Sequence, residues 1–384
     1  MGYKVYCGGE LLCDTQAEDI RCGMLDDAVL EREAKQPGTF EGTVPLENAL
    51  YGKIREGSTV SIERDGAVIW RGSVTDTEQK FDRTMHITCE GALGYLKDQG
   101  ERFVYHEGYQ PTVWDFWRSH CGVTGKGYKN IDAVISGSYT GAMPQFTTGI
   151  SFGTAWEAFN IFMDTFGGYG ELTPGGQLIY HDGESGFATT KQQVRYGENL
   201  KDLCIRRKMN DIVTRVRAFG MASKGWWIFK RTDYLDAAVV DSEAEAKFGV
   251  IERFIGVEGT SSTVESLERA AREELARHRK DVEYELEVEA LDLYDLGMAE
   301  DRLDFLKRSR IVSEPHGFDR IMLCTKMREP LYHPENKSFI YGEVSPSLSV
   351  LEGRSLGVAN RGLRTAMSAG NAIAGTYVEP KVEK

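Results

Sequence analysis

A β-rich α+β fold is what this sequence predicts, and three observations carry the prediction. Glycine (42) and tyrosine (17) are plentiful while proline (10) is scarce, which suits many short strands joined by tight turns. Thr59–Arg64 (TVSIER) alternates, Asp65-Gly66 follows and Ala67–Arg71 returns, the strongest short-range hairpin signal a sequence offers. Tyr284–Ala290 (YELEVEA) alternates between large and acidic residues with the period of a strand that buries one side.

Taken in order, the return strand from Ala67 runs on through Gly72-Ser73-Val74, turns near Asp82-Arg83, and comes back as Thr84–Glu90; Gly91–Leu96 then begins a short helix or turn. A meander or small barrel follows from this. From about residue 100 the character changes. Pro111 opens a short apolar helix through Trp114, Trp117 and Cys121. Thr154-x-x-Glu157 caps a helix bearing Trp156, Phe159, Phe162, Met163 and Phe166, whose partner is a hairpin over Tyr169–Tyr180 turned at Pro174-Gly175-Gly176. From Leu200 strands resume, with Ile212–Phe219 and Gly225–Lys230 as candidates. A helix capped by Ser262-x-x-Glu265 places Val264, Leu267, Ala270, Ala271, Leu275 and His278 at helical spacing, a stripe that should pack on a sheet. Further strands are expected near Arg308–Ser313, Arg320–Arg328 and Ser338–Val344. Beyond Pro346 the chain reads as a peripheral arm. Met85–Leu96 and Tyr284–Leu296 echo one another as a strand passing into a leucine-bearing turn, either from a duplication or by chance.

Size and composition bound the function. The 384 residues, 41% hydrophobic and 27% charged, suit two to four folded domains. The formal charge of −13 argues against general nucleic-acid affinity, which needs clustered cations. No apolar run suggests a signal peptide or a membrane span, so neither export by the general secretory route nor membrane insertion is expected. Seven scattered cysteines without a C-x-x-C pair indicate neither a disulfide framework nor a zinc knuckle, and fit reduced thiols in a cytoplasm.

Chemistry-bearing motifs are absent or incomplete. The glycine-rich run Cys121–Gly127 fails as a phosphate loop, with His120 where a glycine and Gly127 where a Ser or Thr should stand. No H-E-x-x-H or G-x-S-x-G occurs. His181-Asp182, with Glu171 and Glu184, forms a tight polar group that could serve glycoside hydrolysis across a cleft, or decorate a solvated turn. Trp226-Trp227, near Lys224, Lys230 and Arg231, could form a stacking platform for sugar or nucleic acid, or a hairpin edge packed on another subunit. No catalytic residue, cofactor or metal ligand is nominated.

The order of motifs resembles a known family. Gly38–Val44, Gly57–Arg64, the Val68–Val74 return strand and Thr88–Leu96 look like the first barrel of phage tail hub proteins, which include the N-terminal region of siphophage tail-associated lysins and the baseplate hubs of contractile phages. Asn210–Arg215 with Phe219-Gly220, Phe248–Glu252, the 262–280 helix, YELEVEALDL, and Pro330–Glu335 with Tyr341-Gly342-Glu343 look like the second. The resemblance spans roughly residues 1–350.

That resemblance implies two similar β-barrel tube domains, 1–98 and 200–345 (the second with a helical insertion), an α+β insertion at 99–199, and a C-terminal arm at 346–384. It implies a homotrimer whose six barrels form a pseudo-sixfold ring, joining a tail-tube ring to a spike, fibre or lysin subunit in the virion after assembly in the bacterial host cytoplasm. Phage DNA would pass through without specific binding. Glu285, Glu287 and Glu289 are the candidate channel-lining residues, since carboxylates repel phosphate. Peptidoglycan cutting, where the family has it, belongs to a separate C-terminal module, for which these 384 residues are expected to leave no room. A cell-wall hydrolase using Glu171, Asp182 and Glu184, and a carbohydrate-binding module using Trp226 and Trp227, stand as alternatives.

Overall fold

A computed structural model describes residues 2–98, 134–135, 154–166, 168–181, 186–209, 212–224, 231–257, 263–278 and 283–342. Strands β1 (Tyr3–Cys7), β2 (Glu10–Asp14), β3 (Val29–Glu33), β4 (Thr39–Val44), β5 (Thr59–Arg64), β6 (Ala67–Gln79) and β7 (Met85–Gly91) come first. Next are β8 (Val134–Ile135), helix α1 (Ala155–Phe166), β9 (Tyr169–Leu172), β10 (Gln177–His181), β11 (Thr189–Arg195) and β12 (Leu200–Lys208). Then follow β13 (Arg215–Lys224), β14 (Arg231–Val240), α2 (Ser242–Phe248), β15 (Glu252–Gly256) and α3 (Val264–Arg277). The last strands are β16 (Glu283–Ala290), β17 (Arg308–Ser313), β18 (Phe318–Pro330) and β19 (Ser338–Gly342).

Thirteen of these strands share one sheet in the order β12-β16-β19-β18-β3-β4-β7-β6-β5-β1-β2, with β17 beside β18 and β11 beside β17. Within it, two sets of five strands repeat one arrangement: β3-β4-β7-β6-β5 in the N-terminal half and β12-β16-β19-β18-β17 in the C-terminal half, each drawn from the chain in the same sequence order and antiparallel throughout. β6 and β18 are both 13 residues long. Their ladders slip at matching points, between Val74 and Asp76 and between Cys324 and Lys326.

The strand entrances match as well. Gly57 N donates to Val74 O and Val74 N to Ser58 O, at 2.7 and 2.9 Å; Leu306 N donates to Cys324 O and Cys324 N to Lys307 O, at 3.0 and 2.9 Å. Gly57 and Leu306 both take left-handed backbone, φ 81° and 55°. Glycine adopts that region freely, whereas a leucine is strained there by about 1–2 kcal/mol and is held by its burial. The sequence echo between Met85–Leu96 and Tyr284–Leu296 does not track this repeat. By position in the sheet β7 corresponds to β19, and β16 to β4, so the echo compares two amphipathic strands that occupy different places. The turns after them differ too, since Leu93 and Leu96 are buried whereas Asp292 is buried and Leu296 exposed.

Each half has its own core. Val5, Leu12, Leu30, Phe40, Val60, Ile62, Ile87 and Cys89 pack in the first, and Val194, Leu286, Val288, Ile311, Met327, Phe339 and Tyr341 in the second. Each such side chain contributes about 1.5–3 kcal/mol on burial. Gly91 is required in the first half, because a Cβ there would lie 1.8 Å from Pro37 O. β11, which falls within the 99–199 stretch, pairs parallel with β17 and so belongs to the second half's sheet.

Two smaller sheets complete the described chain. β8-β10-β9 lies in sequence around α1, where Thr154 Oγ1 accepts from Glu157 N at 3.2 Å as expected, and Phe159 and Met163 are buried. β14-β13-β15 carries α3 on one face through Leu267, Ala271 and Leu275. The cap of α3 is one residue later than expected: Thr263 and Ser266 form the reciprocal box, and Val264 is exposed rather than part of the apolar stripe. The strand expected over Ile212–Phe219 begins at Arg215 and runs to Lys224. The 111–121 helix, the 225–230 strand and the C-terminal arm lie outside the described residues.

Candidate functional site

Alternation along the strands gives the long sheet two unlike faces. Leu286, Val288 and Ala290 of β16 point into the core, and Glu287 and Glu289 are exposed on the other side as expected. Glu285 differs. It is 6% exposed, and its carboxylate is held by Arg206 Nη1 at 2.8 Å and Lys208 Nζ at 2.5 Å, cations that the β12–β16 register sets beside it. Arg206 also reaches Glu287 at 2.9 Å. Glu285 is therefore a neutralised structural carboxylate rather than an open one.

The charged face continues where the sequence alone does not point. Lys326 and Arg328 of β18 lie opposite Glu33 and Glu31 of β3, with Lys326 Nζ at 2.5 Å from Glu31 and 3.1 Å from Glu33. Beyond them the same side carries Glu41 of β4, His86 and Glu90 of β7, and Asp76 and Glu78 of β6. A polar strip thus crosses both halves, with carboxylates outnumbering cations.

Beneath the strip, the two halves are locked by buried charge. Glu329 is fully buried and accepts from Tyr3 Oη at 2.6 Å, Arg64 Nη1 at 3.0 Å and Arg32 Nη2 at 3.3 Å. Asp304 accepts from Arg32 at 2.7 Å and from Arg64 at 2.5 Å, while Lys337, also fully buried, bonds Asp295 at 2.7 Å and lies 3.5 Å from Glu329. Burial would raise both carboxyls, but Arg32 and then Arg64 hold Asp304 and Glu329 below the usual carboxylate range. Burial likewise pushes the Tyr3 hydroxyl up, reinforced by Glu329. Asp292, whose Oδ2 has no hydrogen-bond partner among the described residues and stands 3.8 Å from Lys337, is raised by burial. Sequence reasoning missed this cluster. Its signal was charge at inward positions: Arg64 after Val60 and Ile62, Arg32 after Leu30, Glu329 after Met327.

The alternative sites gain little. Glu171 and His181 meet at 3.2 Å across the β9–β10 hairpin, and His181 packs on Phe187; Asp182, Glu184, Trp226, Trp227 and the 121–127 run lie outside the described residues. Among the described residues no cluster of potential metal ligands occurs, six cysteines are free thiols, and no helix is long and apolar enough to cross a membrane.

Residues 188–350 match the family described as prophage endopeptidase tail. The fold is similar to that of the prophage MuSo2 43 kDa tail protein from Shewanella oneidensis, with a TM-score of 0.59 at 15% identity over 90% of this chain and 99% of that one. Prophage tail protein gp18 from Listeria monocytogenes EGD-e gives 0.58 at 11% identity, covering 92% and 98%, and the tail protein from Neisseria meningitidis MC58 gives 0.57 at 13%, covering 89% and 96%. No curated protein sequence matches the chain. The resemblance to phage tail hub proteins is thus met twice over: residues 188–350 match the model of the prophage endopeptidase tail family, and the fold that carries them is similar to that of prophage tail proteins.

Proposed function

We propose that this chain is a structural hub of a phage or prophage tail tip, three copies of which form a pseudo-sixfold ring between the tail tube and a distal spike, fibre or lysin subunit. The observation that carries the reading is the repeated five-strand order, since a protomer holding two like units lets three copies meet a sixfold neighbour. In this reading residues 1–98 and 200–345 are the tube domains, with β11 serving the second; 99–199 is an insertion, and 346–384 is an arm toward another subunit. The role is mechanical, with no catalytic residue, and is exercised in the virion after assembly in the host cytoplasm.

The charged strip is the candidate channel wall, with Glu287 and Glu289 as open carboxylates on it and Glu285 as their anchored neighbour. An acidic wall repels DNA phosphates over about one Debye length, roughly 8–10 Å, and keeps passing DNA from adhering. The mass of the purified chain in solution tests the ring, with a trimer expected; tails whose micrographs show no annulus at this position would exclude it. Glu287→Gln/Glu289→Gln is expected to slow DNA release from assembled particles while leaving assembly intact, and unchanged release would remove the strip from the channel.

A further inference from the structure

Within the chain, the far end of β18 pairs antiparallel with β3, setting Lys326 opposite Glu33, Met327 opposite Arg32 and Arg328 opposite Glu31. The matching end of β6, Thr75–Gln79, runs on past β5, and among the described residues no strand pairs with it on that side beyond Ser73. Among the described residues β12, which stands where β3 stands in the repeat, ends the sheet and pairs with β16 alone. Each copy is therefore left with one projecting segment and one open edge, positions that in-chain pairing fills only once.

We propose that Asp76–Gln79 of one copy pairs antiparallel with β12 of the next, so that the seam between copies repeats the seam within each copy. The inference rests on the ring reading above and identifies the surfaces that close it. The register follows from the repeat. Lys326 leads across the sheet to Ile340, Glu287 and Cys204, and Asp76 leads to Thr88, Glu41 and Val29. Val29 thus corresponds to Cys204, Glu31 to Arg206, Arg32 to Arg207 and Glu33 to Lys208. Transposed, Asp76 faces Lys208 of the next copy and Glu78 faces its Arg206.

The charges at the two seams are opposite in sign. Inside the chain, cations on β18 meet carboxylates on β3; between copies, carboxylates on β6 meet cations on β12. Exchanging partners would set Asp76 and Glu78 against Glu33 and Glu31, or Lys326 and Arg328 against Lys208 and Arg206, so like charge disfavours the wrong pairing. Arg206 and Lys208 would stand between two carboxylate strips, shared with Glu285 and Glu287.

Arg207 adds an independent match. Among the described residues its guanidinium has no carboxylate and lies over the Tyr284 ring, 5.6 Å from the centroid. Its counterpart Arg32 bonds Asp304, which precedes β17; Glu56, which precedes β5, makes no ion pair among the described residues and accepts from Thr77 Oγ1 at 2.5 Å, the residue that would face Arg207. Glu329 has Gln79 as its counterpart, and Arg64 has Ser313. The seam between copies therefore lacks the buried ion cluster and is the separable one of the two.

The register also sets Lys80 opposite Cys204, an exposed thiol, at a Cα spacing of about 4.5–5.5 Å that a disulfide spans. Oxidised full-length Lys80→Cys is expected to form covalent multimers that Lys80→Cys/Cys204→Ser does not. In sedimentation, Asp76→Lys/Glu78→Arg, on an exposed hairpin, is expected to raise the concentration needed for assembly about tenfold or more, and adding Arg206→Glu/Lys208→Glu is expected to restore it. A native trimer that neither crosslinks through residues 80 and 204 nor responds to Asp76→Lys/Glu78→Arg would overturn the seam and leave the ring standing. A concentrated chain that stays monomeric without crosslinking overturns the seam as well, while the ring falls separately, on tails lacking an annulus.

Discussion

The hydroxyl of Tyr3, in the first strand, donates to Glu329 Oε1 at 2.6 Å in the last strand but one, 326 residues away. The bond ties the start of one half of the sheet to the buried carboxylate of the other. Tyr3→Phe keeps the ring and deletes the donor, and a hydrogen bond to a charged group is worth about 1.5–3 kcal/mol. Urea unfolding is expected to show a loss of that size, with a midpoint shift and an unchanged slope.

Acid should act on the same cluster. Asp304 and Glu329 have folded values held below their unfolded ones by Arg32 and Arg64, so their contribution is fully present above the unfolded carboxylate range, near pH 4, and is lost as pH falls through the folded values. Asp292, raised by burial, has the opposite sign: its ionisation costs stability as pH rises through its folded value. Stability measured between pH 7 and pH 3 is expected to drop steeply below about pH 4, and Glu329→Gln to flatten that drop. A Glu329→Gln profile as steep as the native one would remove Glu329 as a source.

Gly57→Ala and Gly91→Ala separate two demands on glycine. A Cβ at Gly57 meets nothing within 4 Å, so the cost is the left-handed backbone alone, about 1–2 kcal/mol. A Cβ at Gly91 would collide with Pro37 O, and thermal unfolding is expected to show a loss above about 3 kcal/mol, or no folded first half.

Leu267→Ala tests the independence of the helical insertion. Leu267 is fully buried between α3 and β13–β14, apart from both cores of the long sheet. The substitution is expected to cost about 2–5 kcal/mol in the insertion. Hydrogen exchange should rise in β13–β15 and stay unchanged in β5–β7.

Local pattern by itself determined much of this protein: β5, its Asp65-Gly66 turn and β17 stand at the residues the alternation indicates, and the buried and exposed sides of β16 follow from period two. Those features depend on neighbours in sequence. Tertiary structure alone decided which strands lie side by side. It disclosed a repeat that matches β7 to β19 rather than to β16, it placed Arg206 and Lys208 on Glu285, and it gathered Arg32, Arg64, Asp304, Glu329 and Lys337 at one joint. A charge at an inward position announces that a partner exists, but the partner is chosen by strand pairing across hundreds of residues, and period-two alternation carries no information about which strand that will be.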